Sequence, residues 1–469
     1  MFRKMLNWIR SQLNQIFGAP IATDDVAISS RMESALELWV QIYESGGPWC
    51  GGKTGLHSLD IGGGIAREFA RLVLLELNME VSGSARADYI SAQLVPFLDR
   101  LQTNVEIACA FGGMLFKPYP GGGRLIIDAV QADAIVPTAF DADGRLTGCI
   151  IPQQIKRANR IYTRLEYHDY NAAARREEIH NRAFSSATAQ QLGAPVALSE
   201  VAEWADLAPD AQFEGLDRPS FAYFRIPSAN REDRHSPMGV SVYAPAVDTI
   251  RDADTQYGRL IWEYRGGELA IDVDESALRR DADGNLALDE RERRLYRSHL
   301  YTGVGKPLYQ AFAPALRDES YLTGLDAILK RIEFQCGLAY GTLSDPQSVE
   351  KTAEEVRASK QRSYATVRSI QHALQGALDD LVYVMDYLAS AYQLAPAGQV
   401  VATYDWDDSL VNDPNDRRTR FWSYVTAGKF PFAQYLQEYE HYTPEDAQAA
   451  VAAARAENQS SEPLSFGGF

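Results

Sequence analysis

Residues Gly47 to Thr54, GPWCGGKT, satisfy the phosphate-loop spacing G-x-x-x-x-G-K-[ST] letter for letter. In such a loop Gly47 and Gly52 would let backbone N–H groups curl around phosphates, Lys53 would reach the terminal phosphate, and Thr54 would hold Mg²⁺. The chemistry would be nucleotide hydrolysis, and it needs a buried strand before the loop and a helix opening at its end. Neither flank supplies them. Upstream, RMESALELWVQIYESGG puts Met32, Ala35, Leu36, Trp39, Val40 and Tyr43 on one helical face, so a helix is expected where a strand is required. Downstream, GLHSLDIGGG has turn formers where a helix should begin.

Other stretches invite chemistry and fall short of it. Gly62, Gly63 and Gly64 miss the G-x-G-x-x-G dinucleotide spacing, since Arg67 stands where the third glycine belongs. They are expected to form a break before a helix that turns Ile65, Phe69, Ala70, Val73, Leu74 and Leu77 inward. RLIIDAV around Asp128 resembles the strand-plus-acid that holds Mg²⁺ in motors, but Ala129 occupies the place of the usual Glu. The seven histidines are scattered, with no H-E-x-x-H and no i,i+4 pair. LEYHDY offers Glu166 and Asp169 around His168, yet His168 and Asp169 diverge on a strand, so a satisfied or exposed histidine is expected rather than a ligand. The acids of YDWDDS (404–409) read as a solvated turn. Nothing assembles nucleophile, base and oxyanion donor, so neither catalysis, nor a metal, nor a cofactor is expected.

The chain that must position these residues has 469 of them, 46% hydrophobic, enough for two or three cores. Its formal charge of −17 argues against a protein that wraps nucleic acid on a basic surface. Cys50, Cys109, Cys149 and Cys336 lie far apart, which suggests neither a disulfide framework nor a zinc site and favours a reducing compartment. MFRKMLNWIRSQLNQIF spaces Phe2, Met5, Trp8, Ile9, Leu13 and Ile16 as an amphipathic helix that docks on a core or partner, with attachment to a membrane surface as the alternative and no continuous apolar run of a signal peptide. No run of 18 apolar residues occurs, so no membrane span is expected.

The element pattern predicts an α+β fold. One helix is expected over 86–110, followed to about 235 by short β-rich runs (MLFKPY, RLIIDAV, GCIIPQQI, IYTRLEYHDY, EEIHNRAF, SFAYFRIP) forming a mostly antiparallel sheet. SSATAQQLGAPVALSEVAEWADLAPD reads as a loose insertion with a short helix. Residues 241–264 and 321–337 are predicted amphipathic helices separated by a charged, turn-rich excursion (268–319) with DADGN as a hairpin tip. A long helix is expected from about 349 to 393, then one strand and three short helices, the last capped by Thr443 with Asp446.

This order, together with its wording, resembles the portal proteins of tailed bacteriophages, siphophage type. The stretches that carry the resemblance are DIGGGIAREFARLVLLE, YTRLEYHDYN with IHNRAF, SPMGVSVYAPAVDTIRDADTQYGRLIWEY, GLAYGTLSD with KTAEEVRASKQRSYATVRSIQHALQGALDDL, and WDDSLVNDPNDRR with VTAGKFPFAQYL. They run from about residue 25 to 457 in the family's order. The resemblance implies a wing (1–240), a stem helix (241–267), a clip (268–319), a second stem helix (320–339), a tunnel loop and long wing helix (340–393), a helical crown (394–459) and a flexible tail (460–469).

It also implies a homo-oligomeric ring of about twelve subunits at one capsid vertex of the virion, assembled in the host bacterial cytoplasm. Double-stranded DNA would be driven through the ring by a separate terminase motor. Head-completion or adaptor proteins, the major capsid protein and a scaffold would dock on it, with no membrane involved. Tyr340, Gly341, Thr342, Leu343, Ser344, Asp345, Pro346, Gln347 and Ser348 would form the tunnel loop. Asp248, Arg251, Asp252, Arg259 and Glu263, on a first stem helix that also carries Asp254, would be the channel candidates on a mildly acidic face. The resemblance gives no role to Gly47–Thr54. The alternatives are a nucleotide-binding packaging ATPase using that loop, and a capsid or tail subunit without a channel.

Overall fold

The computed structural model describes residues 16–17, 28–52, 55–75, 77–189, 191–274, 296–299, 309–346, 353–406, 414–427, 429–440 and 442–460. Lys53, Thr54, Gln347, Ser348, the DADGN stretch (281–285) and the acids Asp407 and Asp408 lie outside them. The fold is α+β and divides into two compact units, Met1–Asp405 and Trp406–Phe469. No described helix is long and apolar enough to cross a membrane.

The first unit begins with helices α1 (Ser30–Ser45), α2 (Ile61–Leu74), α3 (Ala85–Leu98) and α4 (Leu101–Phe111), with strand β1 (Leu77–Ser82) between α2 and α3. Two helices stand where one was expected over 86–110. Pro96, which cannot donate an N–H, lies one turn before the break at Asp99–Arg100. The triple glycine also departs from expectation, because Ile61 already opens α2 and Gly62–Gly64 form its first turn. A Cβ on Gly62 would meet Ile42 Cγ2 at 2.5 Å, so the missing side chain is what lets α2 lie against α1.

A three-stranded sheet orders β2 (Gly113–Gly121) between β3 (Arg124–Gln131) and β10 (Ala222–Arg225), all antiparallel. A larger sheet runs β4 (Val136–Phe140), β5 (Leu146–Arg157), β6 (Arg160–Asn171), β7 (Arg176–Ser186), β8 (Ala194–Val196), with β9 (Asp210–Glu214) also on β7. Leu115, Ile135, Leu146, Cys149, Ile151 and Phe221 form the apolar seam between the two sheets. The opposite face of the larger sheet is covered too: Phe17 packs on Val136, Ile150, Leu165, Tyr167 and Phe184. The stretch read as a loose insertion is packed, since Leu198, Val201 and Trp204 are buried against Ala183.

Helix α5 (Val247–Gly266) starts after a 3-10 turn at Ala244–Ala246, six residues later than the sequence pattern suggested, because Pro245 holds that turn. A small sheet of β11 (Ala270–Asp274) between β12 (Tyr296–His299) and β13 (Tyr309–Phe312) follows, parallel to the former and antiparallel to the latter. Helix α6 (Asp318–Cys336) returns along α5, and α7 (Ala353–Ala391) runs 39 residues, about 58 Å at 1.5 Å per residue, over β2, β10, α2 and α3. Buried Arg86 closes its C-terminal end, donating to the carbonyls of Asp386, Ala395 and Pro396, to the Asp386 carboxylate and to Ser390 Oγ. Strand β14 (Val401–Trp406), expected with the tail, instead pairs with β1.

The second unit holds α8 (Pro414–Thr426), α9 (Phe432–Tyr439) and α10 (Pro444–Ser460). Phe421 lies within about 5 Å, a normal aromatic pair distance, of Phe430 and Tyr439. Thr443 caps α10 as its sequence signature implies: Asp446 N–H donates to Thr443 Oγ1, whose hydroxyl donates to the Asp446 carboxylate.

Candidate functional site

The GPWCGG loop is built as the end of a helix. Gly46 sits at φ 79°, and the N–H groups of Gly46 and Gly47 return to Ile42 O and Gln41 O, the two bonds of a Schellman cap. Cys50 N–H donates to Gly47 O and Gly51 N–H to Leu56 O. The amides a phosphate cradle would offer at Gly47, Cys50 and Gly51 are therefore spent within the chain. An anion is nevertheless held here, and it is the protein's own. Asp254 of α5, fully buried, accepts from Trp49 Nε1 at 2.8 Å, from Leu59 N–H at 2.8 Å and from the Cys50 thiol at 3.6 Å. Burial, followed by the Asp254 charge, raises the Cys50 pKa to about 11. One turn on, a Cβ at Gly258 would meet Leu56 Cδ2 at 2.5 Å, so that glycine admits the loop against the helix.

With Asp254 turned inward, the outward stripe of α5 carries Asp248, Arg251, Asp252 and Arg259, all exposed, together with Trp262 at 73% exposure. These positions fall within one 120° arc of a 3.6-residue helix. Two acids face two arginines, so the stripe is charge-balanced rather than mildly acidic, and the count that included Asp254 is corrected by its burial. Arg251 pairs with Asp248 at 3.2 Å. Glu263 is committed elsewhere: Arg317, just before α6, grips it through Nε at 3.1 Å and Nη2 at 2.7 Å and donates its own N–H as well. Those hydrogen bonds from Arg317 keep the Glu263 carboxyl below the usual range. Sequence spacing missed Trp262, although its place three residues after Arg259 lies on the same face.

At the other end of α6 a second buried acid arranges a turn. Glu333, fully buried, accepts from Leu343 N–H at 2.6 Å and Ser344 N–H at 2.9 Å through Oε1, and from the Ser344 hydroxyl at 2.9 Å through Oε2. Asp326, two turns earlier, accepts from Asp345 N–H at 2.8 Å. Tyr340 is half-buried with the Arg362 guanidinium 5.6 Å over its ring, Gly341 bends at φ 86°, and Ser344 points in. Thr342, Asp345 and Pro346 are the exposed tip. The loop is thus a tight turn hung from two carboxylates of the helix before it.

A third set of charged groups, between the two large sheets, makes His168 a satisfied histidine, through Lys117, Arg164 and Glu177 that the sequence did not connect to it. Lys117 Nζ on β2 and Arg164 Nη2 on β6 reach Glu166 Oε2 at 2.6 and 2.9 Å. His168 Nε2 meets Glu166 Oε1 at 3.0 Å, and its Nδ1 meets Glu177 Oε1 at 2.8 Å. Ser220 N–H donates to Glu177 Oε2 at 2.5 Å. Asp169 diverges from His168 as strand geometry demands, while Glu166, two residues back, shares its face. Asp128 lies across β2–β3 from Lys117 on an antiparallel strand, which is not the parallel-sheet setting of a motor's acid. Among the described residues no group of His, Cys, Asp and Glu is arranged to hold a metal ion. No protein-family model matches the sequence, and no curated protein matches it.

Proposed function

We propose that this chain is a portal subunit: a ring-forming protein at one capsid vertex through which double-stranded DNA enters and leaves, and on which the packaging motor and head-completion proteins dock. The observation that supports it best is the succession α5, three-stranded sheet, α6, tight loop, 39-residue α7, in which two packed helices are joined by a small sheet at one end and lead into a turned loop at the other. Its first helix, its loop and its long helix fall on the quoted stretches that resemble the portal family.

Charge supports the same reading. About twelve subunits of −17 each would carry roughly −200, and duplex passing such a ring is repelled rather than held. The exposed α5 stripe, with balanced acids and arginines, offers little net attraction to phosphate. Low grip is what transport needs, because each Lys/Arg–phosphate contact must break as the duplex advances. In this reading GPWCGG has a mechanical part: it fastens the N-terminal helices to the first stem helix through Asp254.

Native mass spectrometry and negative-stain imaging of the purified protein test this. Closed rings with a central hole are expected, together with loss of DNA packaging when residues 340–346 are shortened. A monomer at every concentration and salt sinks the proposal, ATP turnover that depends on Lys53 favours a motor, and rings that package normally without the loop favour a subunit with no channel role.

A further inference from the structure

His168 is only 1% exposed, and both of its ring nitrogens lie within hydrogen-bond distance of carboxylate oxygens. A neutral imidazole carries one N–H and one bare lone pair. Set between two carboxylates, the neutral ring would leave a lone pair facing an anionic oxygen at about 3 Å, in a place water does not reach. The geometry is satisfied when both nitrogens carry protons. We propose that His168 is held as an imidazolium and that its second proton locks the two large sheets of the first unit together, a joint that loosens when the proton leaves.

The surrounding charges are consistent with this. Facing the ring and its partners are Lys117 and Tyr119 from β2, Asp128 from β3, Cys149 from β5, Arg164 and Glu166 from β6, and Glu177 from β7. Lys117, Arg164 and His168 as cations balance Glu166, Glu177 and Asp128 as anions. Phe221 stands edge-on to the ring at 5.5 Å and closes the remaining side. Burial by itself would favour the neutral ring, but the hydrogen bonds to Glu166 and Glu177 win and raise its pKa. Glu166 moves the other way: burial works against its charge, yet Lys117 first and then His168 and Arg164 hold its carboxyl well below the ordinary value.

The position of the joint gives it reach. Lys117 belongs to the sheet that carries α7, while Glu166, His168 and Glu177 belong to the larger sheet, so the ionic chain crosses the seam beside the apolar cluster. Because the folded-state pKa of His168 is raised, its contribution to stability is fully present below the unfolded value and is lost as pH rises through the folded one. The lever therefore works above the ordinary histidine pKa. It is independent of ring formation and of any passage of DNA.

Urea unfolding of the full chain between about pH 6.5 and about pH 9 tests the proposal. The wild-type midpoint should fall across that range. Glu177→Gln should flatten the fall, because a carboxamide can donate to a neutral Nδ1, and His168→Gln should flatten it as well. A wild-type midpoint that stays level overturns the proposal whatever the variants do, and so does a fall of equal size in wild type and Glu177→Gln.

Discussion

Removing the Glu333 carboxylate should free the 340–346 turn while leaving the helices in place. Its two oxygens serve three donors, two of them backbone N–H groups with no other partner in the turn. A hydrogen bond to a charged acceptor contributes about 1.5–3 kcal/mol, of which water recovers part once the turn opens. For Glu333→Ala a net loss of about 3 kcal/mol in the local opening free energy follows, or roughly a hundredfold faster amide exchange at Leu343 and Ser344. Glu333→Gln keeps an acceptor for both amides and loses only the charge, so roughly a tenfold effect is expected. Hydrogen exchange read by mass spectrometry on peptides spanning 338–346 measures this, with α4 (Leu101–Phe111) as an internal reference. The reasoning is refuted if Leu343 and Ser344 exchange at the wild-type rate in the alanine variant, or if α4 loosens by the same factor.

Asp254→Asn should make Cys50 more acidic, because it removes the negative charge that, after burial, raises this thiol to about 11. Modification by a disulfide reagent at about pH 8 should speed up several-fold; an unchanged pH–rate profile would count against the Asp254 clasp, and the other three cysteines are buried and stay silent. Arg86→Ala should lower global stability by about 3 kcal/mol, since the end of α7 is left with several carbonyls and no donor. Arg86→Lys should recover only a small part, because an ammonium lacks the fork; equal midpoints for the lysine variant and wild type would refute the capping role. Glu263, held below its usual pKa by Arg317, contributes stability above its unfolded pKa that is lost as pH falls through the folded one. Arg317→Ala should therefore remove a small, salt-sensitive acid dependence from the unfolding midpoint.

Helical periodicity made α1, α5, α6 and α7 legible, because each has one face against protein and one toward solvent over many turns. Strands β2, β3, β5, β6, β7 and β10 were legible as well, from alternation and from glycine and proline punctuation, whereas the short β4, β8 and β9 were not. What covers a strand's polar face was not. Arg164, Glu166 and His168 alternate with Leu165 and Tyr167, which reads as a solvated face backed by a core, yet both faces are buried. The one available hint was Lys117, a lone cation inside the apolar run MLFKPY. Asp254 and Glu333 were hidden for a related reason. On a helix, an acid that accepts from a distant loop looks the same in sequence as an acid in water. The first turn of α2 was misread because three glycines signal a break locally, whereas here Gly62 is required by the approach of Ile42 from another helix.

The pairing of β1 with β14 sets a timetable for synthesis. Ser84 donates to Gln399 O, Arg86 waits for the carbonyls of Ala395 and Pro396, and Val73 O accepts from Gln371, so the N-terminal helices find these partners some three hundred residues later. Contacts of such separation form slowly and only after the intervening chain exists. A ribosome must release nearly all of the first unit before its earliest helices can settle. The first unit is therefore finished only when the small helical module that follows it in the chain is already being made.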